Sequence, residues 1–349
     1  MDVLLSPRRR AVVQGLGLAA LVAGCGQRRG SAVPAAAFEF RGLSMGSAYT
    51  LKVAGPPLPA AAREAARAAV QYALDRVEEA MSTFRPTSEL SHFNAWRHER
   101  RFALSPETYA VFSLAQQIAT ETDGAFDITV APLVDAWGFG PGCHHRVVGK
   151  DEIEMLAHHV GFRHLELDAR SGTAAKARPG LRADLSGIAK GYGVDAAAHA
   201  LDRLGFENYL IDAGSEIRSR GSNPAGEPWR IGIEQPDSMP PMARRLVLLS
   251  GASIATSGDY RIYFKRNGRR YCHEINPGSG APIRNGLASV SVIDSRCDRA
   301  DAMATALMVM GPERGLAFAS ERRIAACFVV RTGAGSLEDR VTPEFLALT

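Results

Sequence analysis

Tyr209-Leu210-Ile211-Asp212, Trp229-Arg230-Ile231-Gly232-Ile233, Leu246 to Leu249, Tyr260 to Phe264 and Ala288 to Ile293 are short β-rich runs with no helical segment between them. A parallel sheet needs a crossover of about a dozen residues, usually a helix, between consecutive strands. Residues 209–293 show no such helix, and the strands cluster without strict βαβ alternation, so the class is α+β rather than doubly wound. Outward from this block, Phe38 to Val53 reads as strands around Met45-Gly46, Gly161 to Asp168 as another, and Ala326 to Val330 as the last. Helices are expected over Ala60–Met81, with Val70, Leu74 and Val77 on one face, and from Ser105-Pro106 to Thr120, opened by a Ser cap and a first-turn Pro. Asp151–His159, Ile188–Leu204 and Arg299–Met310 read as helices too, the last two stopped by Gly205 and by Gly311-Pro312. Residues 124–140 read as loop.

Hydrophobic residues make up 46% and charged residues 22% of the chain, which excludes a disordered or membrane-embedded class. The net charge of +4 comes with no basic tail or long charge run, so nucleic acid is not an expected partner. The first residues carry an address. Arg8, Arg9 and Arg10 precede a soft apolar run from Ala11 to Ala23, too short to span a bilayer but suited to a signal peptide over residues 1–24. The run ends Leu21-Val22-Ala23-Gly24-Cys25, similar to a bacterial lipobox, so a lipid on Cys25 and a tether over 25–37 are expected. The paired arginines also resemble a twin-arginine signal. These features imply a periplasmic, lipid-anchored protein, with the domain proper over 38–349. Cysteines at 143, 272, 297 and 327 form no CxxC pair, and free thiols are expected. Gly15-Leu16-Gly17-Leu18-Ala19-Ala20 matches a dinucleotide fingerprint but lies in the leader with no strand before it. Cys143-His144-His145 and His158-His159 lack zinc-ligand spacing.

Four constellations carry chemistry. In Asp184-Leu185-Ser186-Gly187-Ile188-Ala189-Lys190-Gly191-Tyr192-Gly193-Val194-Asp195 a glycine-bearing loop enters a helix with Lys190 on its first turn, suited to a phosphate, although a surface lysine at a helix start is common. In Asp298-Arg299-Ala300-Asp301-Ala302-Met303-Ala304-Thr305, Asp301 and Thr305 lie four apart on one helix face, a hard-oxygen pair suited to Mg²⁺. The alternative is Asp298 as a helix cap and Thr305 as a core residue. Tyr271-Cys272-His273-Glu274-Ile275-Asn276-Pro277 places His273 at a strand end beside a turn, where it is either a base or a structural histidine. Gly124-Ala125-Phe126-Asp127-Ile128-Thr129 combines a turn, an aromatic face and a carboxylate, fit for a flat ring ligand or for a core corner.

Together with Met45-Gly46-Ser47, Met81-Ser82-Thr83-Phe84 and Thr256-Ser257-Gly258-Asp259-Tyr260, these ordered blocks resemble the ApbE family of FAD:protein FMN transferases from about Leu43 to Gly311. The resemblance implies an α+β, T-fold-type architecture of mixed and antiparallel sheets packed with helices, with FAD bound in a central cleft. It implies FAD contacts at Met45, Phe84, Ala125, Phe126, Asp127, Asp184, Lys190 and Ile275. Mg²⁺ is implied at the Gly187 carbonyl, Asp301 and Thr305. From its place beside the Asn276-Pro277 turn, His273 is expected to act as the base, and Lys190 to stabilise the phosphate charge in catalysis. The implied acceptor is a threonine of a periplasmic flavoprotein subunit of a respiratory electron-transfer complex, including nitrous-oxide-reduction clients. Readings as an FAD pyrophosphatase giving FMN and AMP, or as a non-catalytic FAD-binding lipoprotein, stay open. Phe84 stands where a tyrosine is frequent, and Ala304 where some relatives carry an oxygen side chain. Asn276 replaces an aspartate, removing a charge, and Ser215 replaces a glycine, where strain at a positive φ is expected.

Overall fold

The computed structural model describes residues 38–349 apart from Glu99. The signal peptide, tether and lipidated Cys25 expected from the sequence lie outside the described residues.

Eight strands form the main sheet: β1 (Phe38–Ser44), β2 (Ser47–Val53), β3 (Tyr209–Asp212), β4 (Glu216–Arg220), β5 (Ser253–Gly258), β6 (Leu287–Asp294), β7 (Ala325–Arg331) and β8 (Leu337–Val341). Their order in the sheet is their order in the chain, and every pairing is antiparallel. The α+β class follows as expected. Parallel pairing among the described residues is confined to one isolated bridge, Val130 to Arg182.

Side-chain alternation gives this sheet two apolar faces. On β7, Ala326, Phe328 and Val330 point to the helices, whereas Ala325 and Cys327 point the other way. The helical face is covered by α1 (Ala60–Met81), α2 (Ala189–Arg203), α3 (Cys297–Met310) and α4 (Pro312–Glu321). Helix α1 buries Ala66, Val70, Leu74, Val77 and Met81, one stripe at helical spacing. Helix α3 is buried on nearly every side, and its alanines at 300, 302, 304 and 306 let the sheet and α2 approach together. The reverse face is covered by the ribbon Trp229–Glu234/Ala243–Leu249, whose Trp229, Ile231, Ile233, Val247 and Leu249 pack on Leu210, Ile254 and Ile293.

Local reading missed some elements. Ala131–Trp137 is a helix rather than loop; Pro132 sits in its first turn and Gly138 at φ +88° ends it, so it looks like turn sequence. Glu89–Ala95 and α4 are further helices, and β8 follows the strand expected to be last. The strand expected at Tyr260–Phe264 runs instead over Tyr263–Arg266, paired with Arg269–Cys272. Gly161–Asp168 divides into a helical turn, Phe162–His164, and a strand, Leu165–Asp168. Cys143 is exposed, Cys272, Cys297 and Cys327 are buried, and all four are free.

Candidate active site

The site is built where α2 meets α3. Gly191 of α2 is buried, and a Cβ there would lie 2.4 Å from the Cys297 carbonyl oxygen, so only glycine permits this approach. The Gly191 N–H donates to Asp301 Oδ2 at 3.0 Å. Asp195, one turn further along α2, accepts the N–H groups of Cys297 and Asp298 through Oδ2 and pairs with Arg218 through Oδ1. The cap of α3 is therefore Asp195 from another helix, not Asp298, whose carboxylate pairs with Arg296. This docking sets Asp301 and Thr305 against the loop that starts α2. Asp184 accepts the Ser186 N–H at 2.7 Å and opens the turn to Gly187. An ideal Gly187 Cβ would stand 3.1 Å from Thr305 Oγ1 and 3.3 Å from the Phe126 ring, so loop, hydroxyl and aromatic face converge. Ser257 on β5 hydrogen-bonds Thr305 Oγ1 at 3.1 Å.

These groups line a cleft of about 300 Å³. Of the residues the sequence singles out, Phe84, Ala125, Phe126, Asp127, Asp184, Gly187, Lys190, His273, Ile275, Asp301 and Thr305 all lie in its wall. Met45 does not. It occupies the β1–β2 turn at φ +49°, its N–H held by Glu78 at 2.9 Å, with its thioether packed on Gly193. Asp127 has its oxygens engaged, Oδ1 by the Thr129 N–H and hydroxyl and Oδ2 by the Phe162 N–H. Burial raises its carboxyl above the ordinary range all the same. Phe84 is 65% exposed at the mouth.

Sequence reading did not single out Glu216 and Glu274, both buried in the same wall. Lys190 Nζ lies 2.6 Å from Glu216 Oε2, close in distance although that oxygen makes no aligned hydrogen bond. Burial opposes the lysine charge, but Glu216 and Asp301 outweigh it and raise its pKa. Burial and the Glu216 charge push Asp301 up to about 8, against Lys190 and the Gly191 N–H. Burial also raises Glu274, opposed by His273 and Lys190. Three buried carboxyls thus share one lysine, two of them held toward their neutral form, and a bound cation would favour their ionised form. Among the described residues no three His, Cys, Asp or Glu side chains gather as a metal cage. One carboxylate with neutral oxygens is instead a donor set that would suit a Mg²⁺ taking its remaining ligands from water and phosphate. His273 is partly exposed; its Nδ1 lies 3.3 Å from the Ile262 carbonyl oxygen and its Nε2 3.6 Å from Glu274 Oε1.

Residues 45–328 match the model of the ApbE family. The chain belongs to that family. It is 41% identical over 320 residues to the FAD:protein FMN transferase of Vibrio cholerae, covering 91% of this chain and 93% of the relative. It is 37% identical to that of Haemophilus influenzae, over 84% and 86% of the two chains. The crystal structure of the Pseudomonas stutzeri flavinyl transferase ApbE, apo form, superposes with a TM-score of 0.81 at 39% identity, covering 89% of this chain and 96% of that one.

Within the family frame, two departures read differently in three dimensions. Ser215 is not at positive φ; the left-handed residue is Gly214 at φ +92°, so the expected strain does not arise. Asn276 Oδ1 accepts the Gly278 and Ser279 N–H groups at 2.9 and 3.2 Å. Its work is to close a turn, which an amide oxygen does as well as a carboxylate.

Proposed function

We propose that this ApbE-family chain is an FAD:protein FMN transferase, moving the FMN half of FAD onto a threonine or serine hydroxyl of a periplasmic flavoprotein with magnesium bound. The observation that carries the reading is the convergence of Asp301, Thr305, Gly187 and Lys190 on the floor of a cleft walled by Phe126. In the reaction, the acceptor oxygen bonds to the FMN-side phosphorus, the bond from that phosphorus to the bridging oxygen breaks, and AMP leaves with the bridging oxygen. The acceptor proton passes to His273.

The residues fit these tasks. Asp301, Thr305 and the Gly187 carbonyl are the groups that would hold magnesium. When bound, it would draw negative charge from the diphosphate and the departing AMP. Lys190 and the loop N–H groups add fixed positive potential at the phosphates. An Nδ1–H donated to the Ile262 carbonyl fixes the His273 tautomer and leaves Nε2 to take the proton. Phe126 and Phe84 offer aromatic faces to a ring system.

The supporting experiment incubates the full chain with FAD, Mg²⁺ and candidate acceptor domains and follows FMN mass on a hydroxyl residue. One FMN per acceptor is expected with wild type and none with Asp301→Ala. Transfer that persists in Asp301→Ala, or that ignores magnesium, would remove the metal assignment; FMN and AMP appearing with acceptor unmodified would favour hydrolysis. The leader and Cys25 lead us to place the enzyme on the periplasmic side by a lipid anchor. Mass analysis of the membrane-extracted chain tests this, and an unlipidated Cys25 would refute it.

A further inference from the structure

The cleft rim carries a feature the proposed reaction does not use. The hairpin Tyr263–Arg266/Arg269–Cys272 leaves the rim at Ile262 and returns at His273, with the His273 N–H donating to the Ile262 carbonyl at 3.1 Å. Its register sets Lys265 opposite Arg270 and Arg266 opposite Arg269. Like charges directly opposite destabilise a strand pair. Arg270 is relieved by Asp237 at 3.2 Å and Asp259 at 3.8 Å. Lys265, Arg266 and Arg269 are exposed and have no carboxylate at ion-pair distance among the described residues.

The hairpin is also held firmly. Asn267 and Gly268 at φ +50° and +71° suit a tight hairpin turn. At its base Phe264 stacks on Tyr271 with ring centroids 5.0 Å apart, and the stack continues to Trp137 on one side and His145 on the other. Three cations without an ion-pair partner among the described residues are therefore presented on an arm that leaves the rim at Ile262 and returns to it at His273, the proposed proton acceptor.

We propose that this hairpin docks an acidic segment of the acceptor protein next to the hydroxyl that receives FMN, an inference that rests on the transferase reading above. Rim charges of this kind act mainly by speeding encounter and selecting partners, and their effect fades as salt screens them. An acceptor approaching His273 passes the hairpin, so acidic residues flanking its hydroxyl would be drawn in and basic ones repelled.

The test uses the full chain loaded with FAD, two labelled peptides and vesicles. The peptides share one threonine and differ only in flanking Asp and Glu against Asn and Gln; binding is read by fluorescence anisotropy and transfer by FMN mass. Wild type should prefer the acidic peptide by about 10-fold at low salt and lose the preference at high salt. The Lys265→Glu/Arg266→Glu/Arg269→Glu variant should lose the preference at all salt concentrations with FAD affinity and melting temperature unchanged. Equal binding of both peptides by wild type, or a preference that survives the triple substitution, would overturn the proposal. So would binding to phosphatidylglycerol vesicles that the triple substitution abolishes while the peptide preference stays, since the cations would then serve a membrane. Selective binding of the acidic peptide without any FMN on it would count against the transferase reading and not against the docking surface.

Discussion

Replacing Gly191 by alanine tests the geometry on which the site depends. In an unconstrained helix interior this change stabilises by about 1 kcal/mol, because alanine is the better helix former. Here the new methyl would sit 2.4 Å from the Cys297 oxygen, 2.7 Å from the Cys297 carbonyl carbon and 2.8 Å from the Asp298 Cα. All three are backbone atoms of the neighbouring helix, so no rotamer change relieves them. Restoring ordinary contact at about 3.5 Å requires α2 and α3 to separate by about 1 Å. Overpacking of this kind costs about 1–3 kcal/mol, leaving a net loss of about 0–2 kcal/mol after the propensity gain. The same displacement stretches the 3.0 Å bond from the Gly191 N–H to Asp301 toward 4 Å and moves both proposed metal ligands off the Gly187 loop. A misplacement near 1 Å can cost about 100-fold in rate. Gly193→Ala supplies the control on the same helix, since its methyl would meet the flexible end of Met45 at 2.8 and 3.0 Å, which can swing aside, and Leu74 Cδ2 at an ordinary 3.4 Å, with no backbone atom among these contacts. Urea unfolding and FMN transfer at saturating FAD read the two effects. A Gly191→Ala protein as stable as wild type, with unchanged transfer and magnesium requirement, would refute the close-approach argument.

His273→Ala should lower transfer at saturating FAD by about 10²–10⁴-fold, the usual worth of a positioned base; an unchanged rate would end that role. Asp195→Ala strands the Arg218 guanidinium and two N–H groups at the start of α3, a loss of about 3 kcal/mol on breaking a buried pair. Urea unfolding checks it, and a loss below about 1 kcal/mol would show that the cap is dispensable. Asp212, raised by burial from 3.8 to about 6, binds more protons in the folded than in the unfolded protein over that range. Its contribution is therefore intact below about pH 4 and is lost as pH rises through about 6. Asp212→Asn keeps the acceptor for the Gly214 N–H and should gain about 3 kcal/mol at neutral pH relative to wild type, with no gain at pH 4. Chemical unfolding at the two pH values decides, and a pH-independent difference would refute the assignment.

Much of this molecule is legible locally. Apolar spacing at Ala66, Val70, Leu74, Val77 and Met81 specifies α1, and the clustering of short strands without βαβ alternation points to an α+β class, whereas the fully antiparallel pairing of the main sheet is set by its tertiary contacts. The four-residue spacing of Asp301 and Thr305 is enough to put both oxygens on one side of α3, because helical periodicity is a property of neighbours in sequence. Order of blocks points to the family before any contact is known. Other features depend on residues far apart in the chain. Ala131–Trp137 is helical against its turn-like composition, because Leu133, Ala136 and Trp137 are buried against Val148 and Ile275. Asp195 becomes the cap of α3 only when two helices about a hundred residues apart touch. Lys190 looks like a free phosphate ligand in sequence, yet it meets the buried Glu216, and Glu274 and Asp301 crowd the same wall. Periodicity and turn chemistry act over a few residues and can be read along the chain. Burial, mutual charge and close helix approach arise from many distant segments at once, so they appear only when the sheet and its helices have closed around the cleft.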